Sequence, residues 1–271
     1  MFGSELTLGD VQIDDFIAFL ADPQTWGSIC VLTLSSVIQA SFGFAAALFG
    51  MPLLLWLGND LMSSQVMIIS AMLPQNILGL YRLRKSLDLR EVVGPACLRI
   101  SALPLGILCM VYVISWTPAR VNQLVGVILL LAVVAQLFVG FEWKSAKRWY
   151  WQVATFGGSG FLQGLSGMSG PPLVMWVHGQ RYAADRARAF LFAIFISNFL
   201  PQVCLLWWRF GNDVWIAVGT AVAALPTVLG GAILGLRLGS RLGDTWLRPL
   251  SYGLLLALAV SSLLSPWLRG E

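Results

Sequence analysis

Two glutamines in this chain, Gln39 and Gln163, each stand four residues ahead of a glycine inside an apolar stretch: Gln39-Ala-Ser-Phe-Gly43 and Gln163-Gly-Leu-Ser-Gly167. Ser41, Ser166, Ser169 and Gly170 fall in or beside the same breaks. Carboxamides, hydroxyls and free backbone N–H groups are neutral hydrogen-bond donors. Converging on one point they hold an oxyanion through several modest bonds, each worth about 0.5–1.5 kcal/mol net and up to ~3 when the acceptor is charged. Such a cage binds an anion and still releases it. Pro74-Gln75 and Pro201-Gln202 each put an amide into a further apolar run. Arg99, about seven residues into its run, is the one charge clearly inside an apolar stretch. An ionisable residue there is functional by default, although an arginine near a run end can also snorkel to the surface. The expected substrate-binding set is Gln39, Ser41, Gly43, Gln163, Ser166, Gly167, Ser169 and Gly170, with Gln75, Gln202 and Arg99 as further contributors. Asn76 and Asn198 rank lower.

These residues sit in a chain that is written twice. Ser70-Ala-Met-Leu-Pro-Gln-Asn-Ile-Leu-Gly-Leu-Tyr-Arg82 aligns without gaps on Ser197-Asn-Phe-Leu-Pro-Gln-Val-Cys-Leu-Leu-Trp-Trp-Arg209, with six identities in thirteen positions. The two glutamine breaks align on each other, as do Ala102-Leu-Pro104 with Ala224-Leu-Pro226 and Gly126–Val133 with Gly253–Val260. Asn76 and Asn198 lack repeat counterparts, which lowers their rank. Two homologous halves in an apolar chain are a hallmark of a transporter with its site at the repeat interface.

Composition sets the environment. Hydrophobic residues make up 58% and charged residues 11% of 271, with mean hydropathy +0.78, far from the soluble norm of about a quarter charged. Apolar runs over 62–81, 92–113, 121–141, 189–208, 214–236 and 249–268 are long enough to span a bilayer. Trp26, Trp56, Trp116, Trp143, Trp176, Trp246 and Trp267 near run ends read as an interfacial belt. The N-terminus carries Glu5, Asp10, Asp14, Asp15 and Asp22 and no Lys or Arg before the first apolar run, unlike a signal peptide; Ile13, Phe16, Ile17 and Leu20 suggest a short surface helix. Cys30, Cys97, Cys109 and Cys204 lie in apolar runs with no CxxC spacing. They read as small apolar packing residues, and no disulfide, metal or cofactor is expected. The net charge of +4 reflects topology rather than a nucleic-acid partner.

Residues 27–57 and 150–178 are each either one kinked crossing or a hairpin of two half-helices. Charge separates the readings. With hairpins, each half makes three full crossings and the halves are inverted. Thirteen Lys and Arg then lie in cytoplasmic segments (Arg82 to Arg90, Lys144 to Arg148, Arg181 to Arg188, Arg237 to Arg248), against Arg120, Arg209 and Arg269 outside. With kinked crossings the count is nine against seven. The positive-inside bias favours hairpins and both termini outside. The expected fold is all-α and polytopic: two inverted repeats, each a broken helical hairpin followed by three transmembrane helices. Its segments are an acidic surface segment (1–26), repeat 1 (27–141), a cytoplasmic linker (142–149) and repeat 2 (150–271).

Gln39 lies thirteen residues after Trp26, and Gln163 twelve after Trp151. At ~1.5 Å per residue each reaches about 18–20 Å deep, past the middle of a ~30 Å core. Unwound backbone at that depth needs protein or a water-filled cavity around it. The second half-helix of each hairpin starts there, its positive dipole end towards the centre.

The paired motifs Gln39-Ala-Ser-Phe-Gly43 with Pro52, and Gln163-Gly-Leu-Ser-Gly167 with Pro171-Pro172, resemble those of the sulfite exporter TauE/SafE family. The resemblance covers both halves, essentially 27–265. It implies a plasma-membrane transporter of sulfite, sulfonates or related organosulfur anions, with a small anion and the lipid bilayer as partners. Where the family often has consecutive glycines, this chain has Phe44-Ala-Ala-Ala-Leu-Phe49.

Two other classes compete. A channel or receptor would have the same composition. Gly164-Leu-Ser166-Gly167 and Gly167-Met-Ser169-Gly170 match the G-x-S-G around the serine of rhomboid intramembrane proteases. That chemistry needs a histidine base, and the chain's only one, His178, lies on the same hairpin nine to twelve residues on. No enzyme activity is expected.

Overall fold

A computed structural model describes residues 22–43, 45–137, 149–180, 182–265 and 267. Among these there is helix, turn and bend and no strand. The acidic surface segment, apart from its last residues, and nearly all of the 142–149 linker lie outside them.

Asp22 starts helix α1 (Pro23–Phe42): its carboxylate accepts from the Gln24 N–H at 3.1 Å, and Pro23 stands where no N–H is required. Helix α1 stops at Gly43, whose left-handed φ of 94° lets its N–H return to the Gln39 carbonyl. Helix α2 (Ala46–Trp56) follows. Asp60 caps α3 (Leu61–Leu83) through the Ser63 N–H at 2.9 Å. Then come α4 (Arg90–Ile114) and α5 (Pro118–Leu137). The second half runs α6 (Trp149–Gln152), a π-turn at Val153–Gly157, α7 (Gly158–Ser166) and α8 (Gly170–Gly179). It continues with α9 (Ala184–Phe210), α10 (Asp213–Ala223) and α11 (Leu225–Leu263). Gly167 ends α7 as Gly43 ends α1, with φ 71° and its N–H on the Gln163 carbonyl.

Both broken segments fold back. Asn59, just past α2, donates to Ser28 near the start of α1 at 3.0 Å, and Leu57 lies against Gly27. In the second half the Phe156 ring meets Trp176 at 5.0 Å, joining the two limbs.

Three crossings hold the molecule together. Helix α3 runs antiparallel to α9, with Gln65 bonded to Gln202 near one end and Gly79 against Phe192 near the other. Helix α4 packs on α7 so closely that a Cβ on Gly160 or Gly164 would strike the Arg99 or Leu103 carbonyl. Helix α11 packs on α1 in the same manner, with Gly235 against the Val37 carbonyl and Gly231 against that of Thr33. Small residues let backbones approach like this where no hydrophobic force drives helices together.

Helices α3 (with the turn that follows it, to Ser86), α4 and α9 are each long and apolar enough to cross a membrane. Helix α10 and the start of α11 together are also long and apolar enough for one crossing, with a bend of 54° between them. The run at 214–236 is therefore not straight: Pro226 offers no N–H and crowds the turn before it. Nor are 214–236 and 249–268 parted by a loop. Helix α11 is unbroken over 39 residues, about 58 Å at ~1.5 Å per residue. Arg237 and Arg241 at i, i+4 do not break a helix, and this one continues through Pro249 in its interior. Its first half packs on α1 and its second on α5, where Gly126 meets Ala259 and Leu263.

The outer surface is apolar, with Leu105, Leu108, Tyr112, Leu200, Trp208 and Ile216 exposed. The four cysteines are free and exposed on it rather than packed inside. Trp26 and Trp267 are exposed as an interfacial belt requires, but Trp176 is buried against Phe156, filling the second hairpin instead.

Candidate functional site

The turns of the two hairpins meet beside α3 and α9 around a cavity of about 50 Å³, where one water needs ~10–15 Å³. Gln39, Gln163, Gly167, Ser169, Gly170 and Gln202 line it, together with Asn76 and Asn198. So do Ala47 and Leu48 in the first turn of α2, a helix start that no side chain caps. The N-terminal ends of α2 and α8 thus face the same space. Apolar Ile68, Ile69, Met72, Phe195 and Phe199 complete the wall.

The amides form a directed chain. Gln163 Nε2 donates to Gln202 Oε1 at 2.9 Å, and Gln202 Nε2 to Gln65 Oε1 at 3.1 Å. Gln65 Nε2 then donates to the Gly164 carbonyl at 3.3 Å. At the other end the Ser169 hydroxyl donates to Gln163 Oε1. Arg99 Nη2 donates to Ser169 Oγ at 3.0 Å and reaches Gln163 Oε1 at 3.5 Å. In the first hairpin Gln39 Nε2 donates to Asn76 Oδ1 at 2.6 Å. Arg99 is wholly buried, and its Nε and Nη1 have no acceptor; Asn198 is buried with neither amide atom paired. Every Asp and Glu whose exposure is described is exposed.

Five of the expected residues lie off the cavity wall, Arg99 among them, which touches it only through Ser169 and Gln163. Ser41 Oγ bonds the Val37 and Gly235 carbonyls at 2.8 and 2.9 Å, tying α1 to α11. Ser166 bonds the Leu162 carbonyl at 3.1 Å. Gln75 Oε1 accepts from Ser36 at 2.8 Å. Gly43 makes the turn itself. Gln65 is a residue the sequence reading missed: its repeat counterpart is Phe192, so only its being an amide within an apolar run marked it. Asn76 and Asn198 were ranked down for the same lack of a counterpart, yet both reach the wall.

The sulfite exporter TauE/SafE family matches residues 28–262. The chain belongs to that family. Members of the family are transporters and not enzymes, so this is a membrane transport protein. The probable sulfite/organosulfonate exporter TauE of Cupriavidus necator is 22% identical over 241 residues, covering 88% of this chain and 93% of that protein. No solved structure matches. The serines of the two G-x-S-G matches are accounted for by the bonds above, Ser166 to a carbonyl and Ser169 to Gln163; the His178 side chain lies outside those described.

Proposed function

We propose that this protein exports small sulfur oxyanions, sulfite or organosulfonates, across the plasma membrane through the cavity between its hairpins. The two halves are inverted repeats, and the cavity lies near the bilayer midplane. The observation that carries this is the meeting of both hairpin turns in one cavity lined by amides, with no Asp or Glu among its described lining residues. Cation-coupled carriers commonly keep carboxylates in the membrane; an anion is what a cage of donors suits.

Inversion is supported by direction. Helices α3 and α9 are repeat counterparts and run antiparallel, as an axis in the membrane plane requires. The close crossings are reciprocal as well: α4 of the first half meets α7 of the second, and α11 of the second meets α1 of the first. Gln39, Gln163, Gln202 and Ser169 bind the anion; Ser41, Gln75 and Ser166 hold the helices that carry them.

The test is replacement of the hairpin amides. Gln163→Leu and Gln39→Leu should each weaken anion binding about tenfold to a hundredfold, at ~1.4 kcal/mol per decade, with the protein still inserted and folded. Arg120→Gln, on an exposed residue away from the cavity, should change little. Wild-type affinity and transport rate in both Gln variants would move the site elsewhere.

A further inference from the structure

Arg99 is a full charge with no partner of opposite sign. It is 0% exposed, and of its nitrogens only Nη2 finds an acceptor, in the neutral Ser169 and Gln163. No described Asp or Glu is buried to neutralise it. Both of its contacts are wall residues of the cavity, and Phe195, also on the wall, lies 5.9 Å from the guanidinium. On that wall stands a second unsatisfied group, Asn198, 2% exposed with both amide atoms unpaired. The described residues of the opposite half show no buried charge: aligning Ala102-Leu-Pro104 on Ala224-Leu-Pro226 puts buried Ala221 where Arg99 stands. Among the described residues Arg99 is the one buried positive charge, so the pseudo-symmetric cage is electrically lopsided.

A buried charge is tolerated when paired and expensive when not. A neutral ligand would leave the guanidinium uncompensated. A dianion would leave one negative charge buried among neutral donors. A single negative charge closes the balance.

We infer that the cavity selects a monovalent oxyanion, a sulfonate or the singly protonated form of sulfite, with Arg99 as its counter-ion, and rejects sulfate and doubly charged sulfite by charge. The inference rests on the cavity being the transport site. Ser169 and Gln163 relay the charge of Arg99 to the cavity while staying neutral, so the anion is drawn in without a direct ion pair to break on leaving.

The test uses purified full-length protein and three near-isosteric tetrahedral sulfur compounds: dimethyl sulfone, methanesulfonate and sulfate, with charges of zero, −1 and −2. A specific ligand raises apparent thermal stability by mass action. Methanesulfonate should act at concentrations at least about tenfold below sulfate, a gap of ~1.4 kcal/mol, and the sulfone should have no effect. Arg99→Gln should remove the preference and Arg99→Lys should keep it. The wild-type series decides by itself if a variant fails to fold. Sulfate binding as tightly as methanesulfonate, with both lost in Gln163→Leu, overturns the charge rule and leaves the cavity standing. A preference for methanesulfonate that persists in folded Arg99→Gln overturns the role of Arg99. Binding that survives both Gln163→Leu and Arg99→Gln, or no stabilisation by any of the three, overturns the cavity site and this inference with it.

Discussion

Asn198 and Gln202 lie one turn apart on α9, and both line the cavity, but their bonding differs. Gln202 bonds Gln65 and Gln163, whereas neither amide atom of Asn198 has a partner. An unpaired buried amide costs desolvation and returns no bond. Asn198→Leu should therefore leave thermal stability unchanged or raise it, while weakening anion binding about tenfold, one decade or ~1.4 kcal/mol. Ser36→Ala makes the contrast. Ser36 bonds Gln75 and the Val228 carbonyl within buried surroundings, so its loss should cost about 1–3 kcal/mol of stability. A thermal midpoint and an affinity for each variant separate the two roles. If Asn198→Leu lost stability and kept affinity, Asn198 would be a packing residue. Gln75 and Gln202 are repeat counterparts that do different jobs, one bracing α1 and one facing the cavity.

Alongside the buried Leu, Met and Phe side chains, glycine contacts set how closely the helices approach. Gly235 lets α11 lie on the Val37 carbonyl, and a Cβ there would overlap it; Gly230, five residues earlier, has nothing within 4 Å. The two positions predict opposite signs for one substitution. Gly235→Ala should lower stability by about 1–3 kcal/mol through overpacking. Gly230→Ala should raise it by roughly 0.5–1 kcal/mol, because alanine costs less backbone entropy in a helix. Thermal midpoints in one detergent check both, and a rise for Gly235→Ala would mean that α1 and α11 are not packed so closely. The Glu91–Arg186 pair at 2.6 Å also joins two elements, α4 and α9, but both side chains are over a third exposed. Such pairs contribute about 0–1 kcal/mol, so it orients the helix starts more than it secures them.

At the scale of the whole molecule the proposed inversion predicts which ends face which side of the membrane. In a background lacking the four native cysteines, single cysteines at Ser86 and Asp185 should label from the cytoplasmic side. Those at Asn59 and Asn212 should label from outside. Positions 86 and 185 lie at one end of the antiparallel pair α3 and α9, so they should respond together. Labelling from opposite faces would remove the inverted arrangement and the midplane site with it. The charge count points the same way, because Arg82, Arg84, Lys85, Arg90, Arg186 and Arg188 gather at that end.

The amino-acid order by itself determined the membrane environment, the helix breaks at Gly43 and Gly167, and the family. These follow from local signals: hydropathy over about twenty residues, and a glycine placed where a helix must turn left-handed. It also marked Gln39, Gln163, Gln202 and Ser169, because polar groups beside such a break stand out against apolar neighbours. Tertiary structure decided which donors face the cavity. Ser169 reaches it and Ser166, three residues earlier, bonds its own helix; Gln202 reaches it and Gln75 does not. Gln65 was silent in the repeat and became part of the amide chain only when α3 was laid against α9. Each residue along a helix turns about 100°, so facing the cavity or a neighbouring helix depends on how whole helices are rotated against one another. That rotation is set by contacts such as Gly235 on Val37 and Gly164 on Leu103, between residues far apart in the chain.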